Sequence, residues 1–298
     1  MPPVAHLVDA SVYVFRAYYS VAPEFVDVDE RPVHAVYGFL GFMLTLLDQA
    51  RPTHVAVAFD RSLTTSFRNR LYPAYKANRE LPPPDIEYQF ELCRALVGAL
   101  GIAEMSDDEL EADDLIGSAL WKLRAAGFRG VIVSADKDLS QLVGEGDEIW
   151  DFARNVKYGR DGVRERLGVR PDQVADLLAL TGDAVDNIPG VPGIGPKTAA
   201  ALLARFDTLD ALYARVEEVP FLRLRGAASV AAKLRQYRAQ AILSRELTRI
   251  AIDEARTPAI EKIAAGKPDR AALDALLDRL KFGPLTRRRV GDYAARFA

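Results

Sequence analysis

Three short apolar runs, each leading into an acid, constrain this chain more than any other feature of it. They are His6-Leu7-Val8 before Asp9, residues 55–59 before Asp60, and Val131-Ile132-Val133, with Asp136 two residues beyond Ser134. Continuously apolar runs of this length predict buried strands of a parallel sheet. Helix-period stretches lie around them, over 38–49, 87–100 and 113–126. Strands alternating with helices predict an α/β fold, a central and mainly parallel sheet flanked by helices. Ligands of such sheets bind outside the carboxyl ends of the strands. Three strands leading into Asp therefore aim three carboxylates at one edge. The second half predicts helices over 171–180, 197–205, 227–247 and 270–280, and Pro82-Pro83-Pro84 marks a stiff break.

Bulk properties exclude several classes. The one cysteine, Cys93, rules out an internal disulfide framework and a cysteine zinc site, and fits a reducing cytoplasm. The longest apolar run, 38–47, is too short for a membrane span, and the first residues lack the pattern of a signal peptide. A formal net charge of −3 looks unsuited to nucleic acid. The distribution says otherwise: 67–79 holds Arg68, Arg70, Lys76 and Arg79 with no acid, and 219–245 holds six cations with none.

The acids are bunched in Val8-Asp9-Ala10-Ser11, Ala58-Phe59-Asp60, Glu111-Ala112-Asp113-Asp114, Asp136-Lys137-Asp138 and Asp183-Ala184-Val185-Asp186-Asn187. Singly, each is an ordinary turn or cap residue. Together, so many carboxylates at one sheet edge repel strongly unless divalent cations relieve them. Hard oxygen donors with no histidine nearby suit Mg2+ or Mn2+ rather than zinc. Two such ions can clamp a phosphodiester without any nucleophilic side chain. Asp183 and Asp186, three apart, could share a helical face.

Residues 187–198 read NIPGVPGIGPKT and lead into an alanine-rich helix. Pro196 before Lys197 breaks the phosphate-loop pattern, so a helix-hairpin-helix is the better assignment. There Gly190, Gly193 and Gly195 allow close backbone approach, and Lys197 and Thr198 open the next helix toward a DNA phosphate. Between the second and third acid motifs, Arg68, Arg70 and Tyr75 belong to a basic, aromatic segment suited to single-stranded DNA.

In this order, VDAS, VAVAFD, FRNRLYPAYKANR, EADD, SADKD, TGDAVDNIPGVPGIGPKTA and KFGPL resemble the 5′-nuclease domain of bacterial DNA polymerase I and the wider flap endonuclease family, over residues 7–284. The resemblance implies a PIN-like nuclease core over 1–180, with a helical arch at about 62–86, and a helix-hairpin-helix DNA-binding region over 181–298. It implies one metal cluster on Asp9, Asp60, Glu111, Asp113 and Asp114, and a second on Asp136, Asp138, Asp183 and Asp186. Lys76 and Arg79 would steer the scissile phosphate at the arch base, acting with Asp9, Asp60, Glu111 and Asp113 in catalysis. Two or more Mg2+ ions, with Mn2+ substituting, and a K+ ion at the hairpin are the implied cofactors. The implied activity is 5′-3′ exonuclease and 5′-flap endonuclease in DNA replication and repair, by a cytoplasmic, nucleoid-associated monomer on DNA with 5′ single-strand/duplex junctions, with a DNA polymerase in trans. Ala35 stands where the family often has Gly, and no polymerase domain follows Ala298, as in a standalone nuclease or an N-terminal domain taken alone. The rival expectations are a catalytically inactive binder of branched DNA, which would not need the acids, and a PIN-type RNase, which would lack the hairpin.

Overall fold

The structure is a computed structural model that describes residues 2–61, 64–80 and 82–297. Its described residues form a six-stranded sheet: β1 (Val4–Asp9), β2 (His54–Asp60), β3 (Ala103–Asp107), β4 (Arg129–Val133), β5 (Glu148–Asp151) and β6 (Val156–Tyr158). The order is β3-β2-β1-β4-β5-β6, parallel throughout except for β6 against β5. Chain order reverses between β1 and β4, so a crevice opens there at the carboxyl ends.

Strand side chains alternate between two layers. Ala5, Leu7, Ala56, Ala58 and Ile132 face the core under α5 (Ala112–Ala125). Val8, Val55, Val57, Phe59, Val131 and Val133 face the other core, built with α1 (Ala10–Ser20), α2 (His34–Ala50) and α4 (Ile86–Ala99). By the same alternation Asp9 continues the 5, 7 series and Asp60 the 56, 58 series. Both carboxylates therefore emerge on the α5 side.

Only three strands were legible as apolar runs. β3 is an edge strand whose AEMSD sequence has only Met105 buried, and β5 and β6 have four and three residues. Of the stretch expected as an arch, residues 62, 63 and 81 lie outside the described residues; the rest forms α3 (Phe67–Leu71) and a series of turns. α6 (Arg160–Leu167) leads to the helical second half: α7 (Val174–Thr181), α8 (Pro196–Phe206), α9 (Leu209–Ala214), α10 (Ala227–Gln236), α11 (Arg238–Thr248), α12 (Ile260–Ile263), α13 (Arg270–Arg279) and α14 (Pro284–Ala294). The single helix expected over 227–247 is bent out of helical geometry at Tyr237, although the spacing of buried positions runs through the bend. Among the described residues no helix is long and apolar enough to cross a membrane.

The two halves meet at a buried ion pair. Arg68 donates from Nη1 and Nη2 to the two oxygens of Asp114 at 2.7 and 2.8 Å, and further to the carbonyls of Leu247 and Arg249 at 2.8 and 2.9 Å. Asp114 also accepts from the backbone N–H of Glu111 at 3.0 Å and of Ala251 at 2.8 Å. The pair thus ties α3, the first turn of α5 and the segment leaving α11. Asp114→Ala would strand the guanidinium without its partner; it is expected to lower unfolding free energy by about 3–5 kcal/mol, read from denaturant melts against the wild type.

Candidate active site

A cleft of about 850 Å³ opens at the carboxyl edge of the sheet, lined by Asp9, Asp60, Glu111, Asp113, Asp136, Asp138 and Asp186 together with Lys76 and Arg79. Val12, Phe15, Ile86 and Phe90 give it an apolar wall that the sequence did not announce.

Hydroxyls and amides fix the strand-end acids. Ser11 Oγ donates to Asp60 at 2.7 Å, Ser134 Oγ to Asp9 at 2.8 Å, and the N–H of Ala112 to Asp60 at 2.9 Å. Ser11 stands two residues after Asp9 and Ser134 two before Asp136, so a hydroxyl neighbouring an acid was the available signal. Glu111 caps α5 and accepts from Lys76 Nζ at 2.9 Å and the Tyr75 hydroxyl at 3.0 Å. Asp183 lies outside the cleft lining and pairs with Lys137 at 2.7 Å, while Asp186 pairs with Arg79.

The acids fall into two electrostatic kinds. Burial would raise the Glu111 carboxyl, but the charges of Lys76 and Arg68 outweigh it and hold it below the usual carboxylate range. Asp183 is held low in the same way, Lys137 overcoming burial. Asp186 has Arg79, whereas Asp9, Asp113, Asp136 and Asp138 have no such ion pair, Lys137 offsetting only part of the rise at Asp136 and Asp138. Asp9 is pushed up to about 7 by burial and then by Asp60, and Asp138 to about 7 by burial and then by Asp136. Burial and the neighbouring charges of Asp136, Asp9 and Asp60 carry Asp113 well above the ordinary range; Asp136 is raised too, burial first. One oxygen of Asp138 is buried with no hydrogen-bond partner. Hard, anionic and partly unpartnered oxygens of this kind fit a divalent cation. Among the described residues no three acids, histidines or cysteines are gathered into a set that could hold an ion, and cations and hydroxyls of the protein engage several of the carboxylates.

Several expected roles change. Asp114, expected as a metal ligand, and Arg68, expected on DNA, consume each other in the buried pair, and Asp114 does not line the cleft. Tyr75, expected to meet a base, is buried with its hydroxyl on Glu111. Gly190, expected against a phosphate, is buried in the left-handed region, where a Cβ would lie 2.1 Å from the Gly182 nitrogen; its backbone is held by Ser244 and Gln240. Asp183 and Asp186 share no helical face. Reciprocal backbone bonds between Asp183 and Ile188, at 2.9 and 2.8 Å, close a tight turn instead. Gly193, Gly195 and Lys197 remain exposed at the hairpin and the start of α8, Thr198 half-buried beside them, and Arg70 is exposed on Glu109.

The family model for the 5′-3′ exonuclease N-terminal resolvase-like domain matches residues 4–168, and that for the 5′-3′ exonuclease C-terminal SAM fold matches 169–271. The chain belongs to the 5′-3′ exonuclease family. With that family it is a hydrolytic nuclease. It is 35% identical to the 5′-3′ exonuclease of Buchnera aphidicola over 83% of this chain and 86% of that protein. It is 42% identical to DNA polymerase I of Pseudomonas aeruginosa over 93% of this chain, which spans only 30% of that relative's length. Among solved structures, T5 5′-exonuclease with bound divalent metal ions (zinc) superposes with a TM-score of 0.67 at 17% identity, over 98% of each chain. The catalytic core of Rad2 in complex with DNA substrate superposes with a TM-score of 0.65 at 16% identity, over 100% of this chain and 93% of that one. At these identities the likeness is one of fold.

Uncompensated buried acids set a pH dependence. A carboxyl near 7 when folded and near 3.8 when unfolded keeps its proton longer in the folded state, so stability falls as pH rises between those values. In chelator, Asp138→Asn is expected to melt higher than the wild type at pH 8, by on the order of 2 kcal/mol, and the gain should vanish near pH 4. Calorimetric melts across that range check it; an Asn variant less stable at pH 8 contradicts the electrostatic assignment.

Proposed function

We propose that this chain hydrolyses DNA phosphodiesters at junctions of duplex and 5′ single strand, as a 5′-3′ exonuclease and 5′-flap endonuclease using two or more Mg2+ ions. The observation that carries this is the cleft itself, where several buried acids without compensating cations face Lys76 and Arg79 across a space of about 850 Å³. Bound there, Mg2+ or Mn2+ would activate water and neutralise charge building on the phosphate. Asp9, Asp60, Glu111 and Asp113 would hold one part of the metal array, and Asp136, Asp138, Asp183 and Asp186 the other. Burial would loosen the proton of Lys76, but the charges of Glu111, Asp60 and Asp186 outweigh it and keep that ammonium charged beside the acids. Released from Glu111 and Asp186, Lys76 and Arg79 would meet the phosphate as it passes from substrate to transition state. The core of residues 1–180, with Asp183 and Asp186 from the segment after it, would do the chemistry, under an arch expected at about 62–86.

Residues 181–298 would hold the duplex. Gly195 leaves the backbone of the hairpin open, Gly193 lies beside the Lys233 ammonium, and Lys197 and Thr198 start α8, whose N-terminus favours phosphate. Such contacts position a duplex without reading its sequence. A K+ ion on hairpin carbonyls, Arg70 on the strand, a DNA polymerase in trans, a monomeric state and a nucleoid location complete the proposal.

A labelled 5′-flap substrate with Mg2+ tests it. Asp136→Ala should abolish cleavage yet bind the same duplex nearly as the wild type does. Lys76→Ala should slow turnover by about 10²–10³-fold, the scale of losing one preorganised electrostatic contact. Binding without cleavage by the wild-type chain would leave the inactive-binder alternative standing.

A further inference from the structure

Two turns that both contribute to the cleft lining pack against each other, and three main-chain carbonyls join them. One turn is 74–79 and carries Lys76 and Arg79; the other is 183–188 and carries Asp183 and Asp186. Asn187 Nδ2 crosses to the Ala74 carbonyl at 2.7 Å, and Asn78 Nδ2 crosses back to the Ala184 carbonyl at 2.8 Å. Between them the Lys76 N–H donates to the Asp186 carbonyl at 3.0 Å. Lys76 and Asn187 are both left-handed, each at φ 57°. Such backbone is uncommon outside glycine, more so for lysine than for asparagine, and persists only where its surroundings hold it. Here the opposite turn does the holding.

We infer that Asn78 and Asn187 are positioning residues, a reciprocal amide clasp that places the Lys76 and Arg79 cations beside the acid turn before substrate arrives. Neither amide touches an acid of the cleft. Each caps a carbonyl of the opposite turn, so the clasp survives when the side chains of Lys76 and Arg79 swing from carboxylate to phosphate. The pieces it joins are far apart in sequence: residue 78 lies within the stretch expected to form the arch, and residue 187 opens the hairpin. The inference rests on Lys76 serving the phosphate, as proposed above.

The test uses the full chain, Mg2+ and a labelled 5′-flap DNA. Asn187→Gly keeps a left-handed turn and removes only the amide; Asn78→Ala removes the other amide from an exposed position. Each should lower kcat by about ten- to hundredfold, the cost of misplacing a catalytic group by about an ångström, with KM within about twofold of the wild type. Proteolysis within residues 61–86 should quicken in both. In a Lys76→Ala background each change should cost less rate, only the share that acts through Arg79, since losses that act through one group do not add. Wild-type kcat in both variants, or an undiminished loss in the Lys76→Ala background, would overturn the clasp. Lys76→Ala turning over at the wild-type rate would instead remove the phosphate role on which the clasp is built.

Discussion

One buried ion pair decides where the acids of this protein can stand. Arg68 is 3% exposed and Asp114 fully buried, and each meets backbone groups as well as its partner. Forming such a pair costs desolvation of two charges, but halving it costs more, because the survivor has nowhere to go. Asp113 and Asp114 are adjacent on α5, about 100° apart around it. One therefore points into the cleft while the other is spent on architecture. The pair sets the angle of the α5 N-terminus, and with it the distance of Glu111 and Asp113 from the strand-end acids. It also anchors the chain leaving α11, so the helical half cannot shift without disturbing the first turn that carries the acids.

Charge in the cleft is divided rather than merely concentrated. Glu111, Asp183 and Asp186 have cations of the protein on them. Asp9, Asp113, Asp136 and Asp138 have no cation bonded to them, Lys137 offsetting only part of the rise at Asp136 and Asp138, and their affinity for protons rises accordingly. A proton is one remedy and a divalent ion another, so metal loading and protonation compete for the same oxygens. The paired acids add a second competition, between the protein's own ammonium and guanidinium groups and an incoming ion. Lys76 and Arg79 are thereby kept in the cleft, near where a phosphate would need them.

The central strands were legible because burial on both faces writes itself as an unbroken apolar run. β3 was not, since an edge strand shows its sequence half to solvent, and β5 and β6 are shorter than any pattern. Asp9, Asp60, Glu111, Asp113, Asp136, Asp138 and Asp186 could be named from motif spacing, and the fold brings them to one cleft. The inward turn of Arg68, Tyr75 and Asp114 could not be read. α3 has five residues, too few for a period to reveal which face is buried. Spacing also misled at Asp183 and Asp186, where an interval of three suggested a helix and a tight turn was built. The reach of the two asparagines could not be read, because an amide that bonds a carbonyl more than a hundred residues away leaves no local trace.

The alternation that sends Ala5, Leu7 and Asp9 to one side of β1, and Val8 to the other, has a consequence for how the molecule can fail. Core and acid share one parity. A slip of β1 by one residue would bury Asp9 among the side chains of α1 and α2 and turn Val8 to the other face. No half-correct sheet keeps its packing and loses only its chemistry, or the reverse. Every molecule that has closed its core has also delivered its strand-end acids, so a count of folded chains is a count of assembled carboxylate sites.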